Sequence, residues 1–175
     1  IPSGNTTTGL SWSAAAQIPT PEGTVGVDVA AHNGALYAAW GVRSNSYDSP
    51  LMVYLSKKLP NAPWQAPQFV TTLAGAWQTP RLAVADSGLH VLLTDYNGLF
   101  YLRSDNEGQS WDVPVVITNA NYAELRADAD NAYVIFNRYT PPELSRMFFA
   151  KIYKNDATFS TPVQIFTNQG YKTTV

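Results

Sequence analysis

Apolar and polar residues alternate along most of the chain in short runs that break at clusters of Gly, Pro, Asn, Asp and Ser. A period of two is that of a half-buried strand, and no stretch of useful length keeps the 3.6-residue period of a helix. The runs fall into three groups of four predicted strands. The first group is Val25–His32, Ala35–Gly41, Leu51–Ser56 and Trp64–Val70, and the second is Pro80–Ala85, Leu89–Thr94, Leu99–Arg103 and Trp111–Ile117. The third is Glu124–Ala129, Ala132–Asn137, Arg146–Tyr153 and Phe159–Ile165. Turn signals separate the first two strands of each group, at His32-Asn33-Gly34, Asp86-Ser87-Gly88 and Asp128-Ala129-Asp130-Asn131. The pattern predicts an all-β chain.

The grouping is a repeat. Trp111-x-x-Pro114-x-x-Ile117 recurs as Trp64-x-x-Pro67-x-x-Val70 and Phe159-x-x-Pro162-x-x-Ile165, and with Ala for Pro as Trp12-x-x-Ala15-x-x-Ile18. The closing aliphatics Ile18, Val70, Ile117 and Ile165 stand 52, 47 and 48 residues apart. That spacing is the length of one four-stranded blade. Pro67, Pro114 and Pro162 suit an outermost strand, because proline has no N–H to give a central ladder.

Between the third and fourth strands of the second group lies Ser104-Asp105-Asn106-Glu107-Gly108-Gln109-Ser110-Trp111. Asn and Gly favour a tight turn, and a Trp three residues later can fold back over it. The stretch resembles the Asp box, Ser-x-Asp-x-Gly-x-x-Trp, of the sialidase-like β-propeller superfamily, with Asn106 in the Asp position. Ser56–Trp64 and Tyr153–Phe159 stand at the corresponding places without the glycine. The resemblance implies a β-propeller of four-stranded antiparallel blades, and Asp boxes in it are structural turns.

On this reading residues 1–175 form a single, partial propeller domain. Its blades lie at 19–70, 71–117 and 118–165, and 10–18 and 166–175 are parts of a further blade. Three blades do not close a ring, and an open end exposes strand edges and apolar faces. The ring is therefore expected to be completed by another copy of the chain, as a homo-oligomer, or by missing sequence. The chain begins at Ile1 rather than Met, as expected of a processed product or a fragment.

Composition narrows the partners. Net charge is −2 and 14% of residues are charged, with no basic run to match a phosphate backbone, so nucleic acid is not an expected partner. No apolar run approaches the roughly 20 residues of a membrane-spanning helix. Without cysteine there is no disulfide framework and no thiolate metal site. His32 and His90 are not at metal-ligand spacing, and neither a metal nor a cofactor is expected. Aromatics make up 13% of the chain, with ten Tyr and five Trp, which suits both sheet packing and stacking on sugars. The sequon Asn5-Thr6-Thr7 fits a secreted or extracellular location.

Candidate ligand residues gather on one face. In a four-stranded meander the links between blades and the loops from second to third strand share one rim, the mouth. The loops carry Ser46-Tyr47-Asp48, Asp95-Tyr96-Asn97 and Arg138-Tyr139-Thr140, and the links reach Trp77, Tyr122 and Tyr171. An aromatic plate beside short polar side chains is what a pyranose needs, with an apolar C–H face to stack and hydroxyls to bind. The candidate ligand-binding residues are thus Tyr47, Asp48, Trp77, Asp95, Tyr96, Asn97, Tyr122, Arg138, Tyr139 and Tyr171. The competing reading is that these aromatics only pack neighbouring blades.

Sialidase relatives use an arginine triad, a Tyr–Glu pair and an acidic Asp. Arg81, Arg126, Glu124 and Asp28 fall on predicted first strands, near the axis, but Gln17-Ile18-Pro19 stands where the family has Arg-Ile-Pro. Part of a ring also lacks part of such a site, so no residue is assigned a catalytic role. The sequence reads first as a carbohydrate-binding lectin with repeated shallow sites at blade junctions. A subunit or fragment of a secreted glycoside hydrolase comes second, and a protein-interaction scaffold third.

Overall fold

A computed structural model of the chain describes residues 15–44, 49–75, 79–138, 146–153 and 158–167. It contains three four-stranded antiparallel sheets, each a simple meander. Blade 1 is β1 (Thr24–His32), β2 (Ala35–Val42), β3 (Leu51–Lys58) and β4 (Gln68–Leu73). Blade 2 is β5 (Arg81–Ala85), β6 (Gly88–Thr94), β7 (Gly98–Ser104) and β8 (Val115–Thr118). Blade 3 is β9 (Ala120–Ala127), β10 (Asn131–Arg138), β11 (Arg146–Tyr153) and β12 (Val163–Thr167). First strands lie against first strands, β1 on β5 and β5 on β9, as blades fanned about an axis require.

The repeat holds residue by residue. His32, Ala85 and Asp128 each enter a two-residue turn that returns at Ala35, Gly88 and Asn131. At the other hairpins Gln65, Asp112 and Ser160 donate their N–H groups to the carbonyls of Lys57, Arg103 and Lys151, at 2.9, 2.8 and 2.7 Å. So Trp64, Trp111 and Phe159 are equivalent, as their spacing predicts.

The outer strands differ from expectation. β4, β8 and β12 begin at Gln68, Val115 and Val163, directly after Pro67, Pro114 and Pro162, and the aromatics are outside them. Proline has no donor for the ladder, so pairing starts at the next residue. The aromatics turn inward instead, and Trp64 and Phe159 make only isolated bridges, to Lys58 and Ile152. Residues 15–18 carry no strand, while Ile18 packs on Ala38, Trp40 and Val42 of β2 in blade 1. Residues 10–14 and 168–175 are outside the described residues.

Two apolar layers join the blades. Ala39, Val53 and Leu55 of blade 1 meet Leu82, Leu89, Val91 and Leu93 of blade 2. Leu92, Leu99 and Tyr101 of blade 2 meet Leu125, Val134, Phe136 and Ile152 of blade 3. The turn at Ser104–Trp111 reinforces the first layer. Ser104 Oγ accepts the Gly108 N–H at 2.8 Å, Asn106 Oδ1 accepts the Ser110 N–H at 2.9 Å, and Asn106 Nδ2 donates to Ser110 Oγ at 2.7 Å. Gly108 has φ +87°, and a Cβ there would lie 2.9 Å from Gln68 Oε1 and 3.1 Å from Leu55 Cδ2 of blade 1. Glu107 completes the bolt with a 2.6 Å contact to Lys57 of blade 1. This contact also raises the Lys57 pKa above its usual value.

Candidate functional site

The mouth is best seen at blade 2, where its second-to-third-strand loop is fully described. Asp95 N–H donates to Gly98 O at 3.0 Å, and Asp95 Oδ1 accepts the N–H groups of Asn97 (2.6 Å) and Gly98 (3.0 Å). This is an Asx turn. Asp95 is buried and its carboxylate holds the loop, so it faces away from solvent. The turn thrusts Tyr96 outward, 82% exposed. Its ring lies over the link from blade 1, where a Cβ on Gly75 would stand 3.2 Å from Tyr96 Cδ2. Glycine at 75, with φ +73°, is what lets the ring approach.

The next junction is tied to the same loop. Asn119 donates its N–H to Asn97 O at 3.0 Å, and Asn119 is the whole link between β8 and β9. The expected longer link is absent because β9 starts at Ala120, which places Tyr122 inside a strand. Tyr122 sits at φ +47°, beside a register shift opposite Ile135 and Asn137, and is 64% exposed. A bulge re-aims a side chain at a sheet rim, and sequence periodicity carries no sign of it.

Arg138 is likewise in a strand, the last residue of β10, rather than in the loop. Its guanidinium lies 5.5 Å and 5.3 Å from the ring centres of Phe136 and Phe148, which stack on each other. Of the remaining sequence candidates, Tyr47, Asp48, Trp77, Tyr139 and Tyr171 lie outside the described residues. Tyr96, Asn97 and Tyr122 are exposed at the mouth end of the sheets, while Asp95 and Arg138 turn to structural contacts.

A second polar feature runs along the axis. Asp28, Arg81 and Glu124 occupy equivalent places on β1, β5 and β9, four residues before each first turn. Asp28 Oδ1 accepts the N–H of Val29 and Oδ2 that of Leu82, each at 2.9 Å. Glu124 lies between Arg81 Nη2 at 3.0 Å and Arg126 Nη1 at 3.6 Å. These strands border a groove of 300 Å³ lined by Asp28, Leu82, Val84, Leu125 and Arg126. Asp28 and Arg126 are the charged residues of its otherwise aliphatic lining, and the Asp28 carboxylate is engaged as an acceptor.

Sequence reasoning missed a buried network between blades 2 and 3. Ser87 Oγ donates to Asp128 O at 2.7 Å and stands 2.9 Å from His90 Nε2, while His90 Nδ1 is 2.6 Å from the Tyr101 hydroxyl. Ser87 has one proton, given to Asp128, so His90 Nε2 must donate to it and Nδ1 must accept from Tyr101. Burial, with Arg103 nearby, brings the His90 pKa down to about 4, and burial pushes the Tyr101 hydroxyl up. The Ser–His pair is thus a closed structural contact. The sequence sign was a single histidine inside the apolar run Leu89–Leu93.

Among the described residues no group of His, Asp or Glu is placed to hold a metal, and no helix is long and apolar enough to cross a membrane. No protein-family model matches the chain, and no curated protein matches it in sequence. Among solved structures the chain is similar to a xylan β-1,4-xylosidase from Bacillus halodurans C-125, with 14% identity and a TM-score of 0.50. The match covers 79% of this chain and 30% of that one, so the chain spans less than a third of its neighbour's length. The likeness is one of fold, without singling out the Asp-box group: three four-stranded blades of a β-propeller, an architecture shared with a glycosidase.

Proposed function

We propose that the chain binds carbohydrate at its mouth, as a secreted, lectin-like propeller of the Asp-box type. The observation that carries this reading is Tyr96, a residue 82% exposed yet held on an Asx turn about the buried Asp95 and backed by Gly75. A large aromatic ring displayed to water on a rigid loop is a stacking plate for the C–H face of a sugar. Asn97 and Asn119, both exposed and linked through the backbone, supply amides for the hydroxyls. Tyr122 offers a second plate at the next blade. Single sugar sites are weak, and repetition of the Tyr96 site across associated copies raises avidity.

A glycan array run with the native chain and Tyr96→Ala tests this. Binding is expected in the native chain and a loss of about tenfold or more in the variant, on the order of one stacking contact. The melting temperature should stay unchanged, because the ring is outside the core. No glycan bound, or binding indifferent to Tyr96→Ala, refutes the proposal.

A second reading, glycoside hydrolysis, draws on the xylosidase-like fold, on Asp28 in the axial groove and on Glu124, which pairs with the groove's Arg126. It requires turnover of an aryl glycoside that Glu124→Gln abolishes.

A further inference from the structure

Equivalent positions in the three blades differ in exposure at the two outward faces of the set. Counting from the first turn, Val29, Leu82 and Leu125 share one position, and Leu36, Leu89 and Ala132 share another. Both are on the front of a blade, the side that meets the preceding one. In blades 2 and 3 they are covered: Leu82 and Leu125 are 5% and 1% exposed, Leu89 and Ala132 3% and 1%. In blade 1 the same places are open, with Val29 60% and Leu36 44% exposed.

The back of a blade behaves in the complementary way. Ala39, Leu92 and Ile135 are equivalent, and the first two are buried at 0% and 1% against the following blade. Ile135, on the last blade, is 41% exposed. Tyr133 and Phe149, stacked at 6.1 Å, extend the apolar surface around it.

We propose that these two surfaces are halves of one interface, and that the back of blade 3 of one copy packs on the front of blade 1 of a second copy. Val29 and Leu36 then take against Ile135 the places that Leu82 and Leu89 take against Ala39. The contact continues the established blade–blade interface with the same strand positions, so this chain carries both complementary surfaces. Ile18 already packs on Ala38, Trp40 and Val42, the mouth-side half of β2 on the blade 1 front, leaving Val29 of β1 and Leu36 at the turn end of β2 for the second copy. The contact is heterologous. Two copies bring six blades together, within the range of closed propellers. This deepens the multivalent part of the functional reading but rests on blade geometry and not on the sugar sites.

The test is the solution mass of the 175-residue chain by light scattering and sedimentation over about 1–100 μM, without sugar. Association above the 19.1 kDa monomer is expected. Val29→Arg and Ile135→Arg should each weaken it at least about tenfold, with far-UV circular dichroism unchanged because both side chains start exposed. Because the contact is heterologous, mixing Val29→Arg with Ile135→Glu should restore a junction that neither variant makes alone. A native chain that stays monomeric throughout overturns the proposal and leaves another blade as the cover for these faces. Association that ignores both substitutions overturns it too. Mass is read without ligand, so failure here leaves sugar binding untouched, and a blank glycan array leaves the interface standing.

Discussion

Acidification should loosen the junction between blades 2 and 3 through one side chain. His90 is 1% exposed and neutral, with one tautomer satisfying Ser87, Asp128 and Tyr101 together. Protonation would place a second N–H on Nδ1 against the Tyr101 hydroxyl and a charge near Arg103. The folded pKa of about 4 lies below the ordinary 6.5, so between these values the unfolded chain binds more protons than the folded one. This stability is complete above pH 6.5 and is lost as the pH falls towards 4. At about 1.36 kcal/mol per unit the full linkage is on the order of 3 kcal/mol, of which about 2 kcal/mol disappears between pH 7 and pH 5. Urea unfolding followed by tryptophan fluorescence would show this as a midpoint roughly 1 M lower at pH 5, for a slope of about 2 kcal/mol/M. His90→Gln, neutral at every pH, starts less stable but should lose about 2 kcal/mol less over the same interval. Asp128 does not blur the comparison. The Tyr133 hydroxyl, then the backbone N–H groups of Asp130 and Asn131, hold its carboxyl below the usual 3.8, so its contribution fades only at more acid pH. Equal pH slopes for the native chain and His90→Gln would refute the assignment.

The turn after β7 gives two further tests. Gly108→Ala forces a side chain into φ +87° and against Gln68 and Leu55, with an expected cost of about 1–3 kcal/mol, read as a lower urea midpoint at unchanged slope. Asn106→Ala removes the acceptor for Ser110 N–H and the donor to Ser110 Oγ and should cost about 1–2 kcal/mol. Asn106→Asp keeps the acceptor, and the Ser110 hydroxyl can turn to donate, so it should stay within about 0.5 kcal/mol of the native chain. If Asp proves as costly as Ala, the Asp-box description of this turn is mistaken.

Much of the architecture was legible because a blade is a local object. Alternation marks each strand, and Trp64, Trp111 and Phe159 mark each return. The first-strand placement of Asp28, Arg81 and Glu124 followed from counting alone. Departures came where backbone detail overrides the pattern. Proline sets the start of each outer strand, so the ladders begin after residues 67, 114 and 162. A bulge and a positive φ put Tyr122 on a strand. Asp95, which looks in sequence like a ligand contact, is the acceptor that shapes its own loop. The Ser87–His90–Tyr101 network joins a turn to two strands, and no local pattern encodes that meeting.

The repeat itself separates scaffold from site. On the front of each blade the three copies agree in chemistry: Ala38, Val91 and Val134 are equivalent and fully buried, as are Trp40, Leu93 and Phe136, in blade 1 against Ile18 and in the others against the preceding blade. Two residues further on, at the mouth end of the second strand, the equivalents are Val42, Asp95 and Arg138. One is apolar, one is an acid that caps its loop, and one is a base laid over two aromatic rings. The axial slot diverges in the same way, with an acid, a base and an acid at Asp28, Arg81 and Glu124. Packing between blades imposes the same demand at every junction, so core positions stay alike, whereas a rim position answers only to what it touches. The junctions at the mouth are therefore chemically distinct. A ligand that engages the Tyr96 plate meets different neighbours at each of the others, so the loss on Tyr96→Ala should be larger than an equal share among three identical sites.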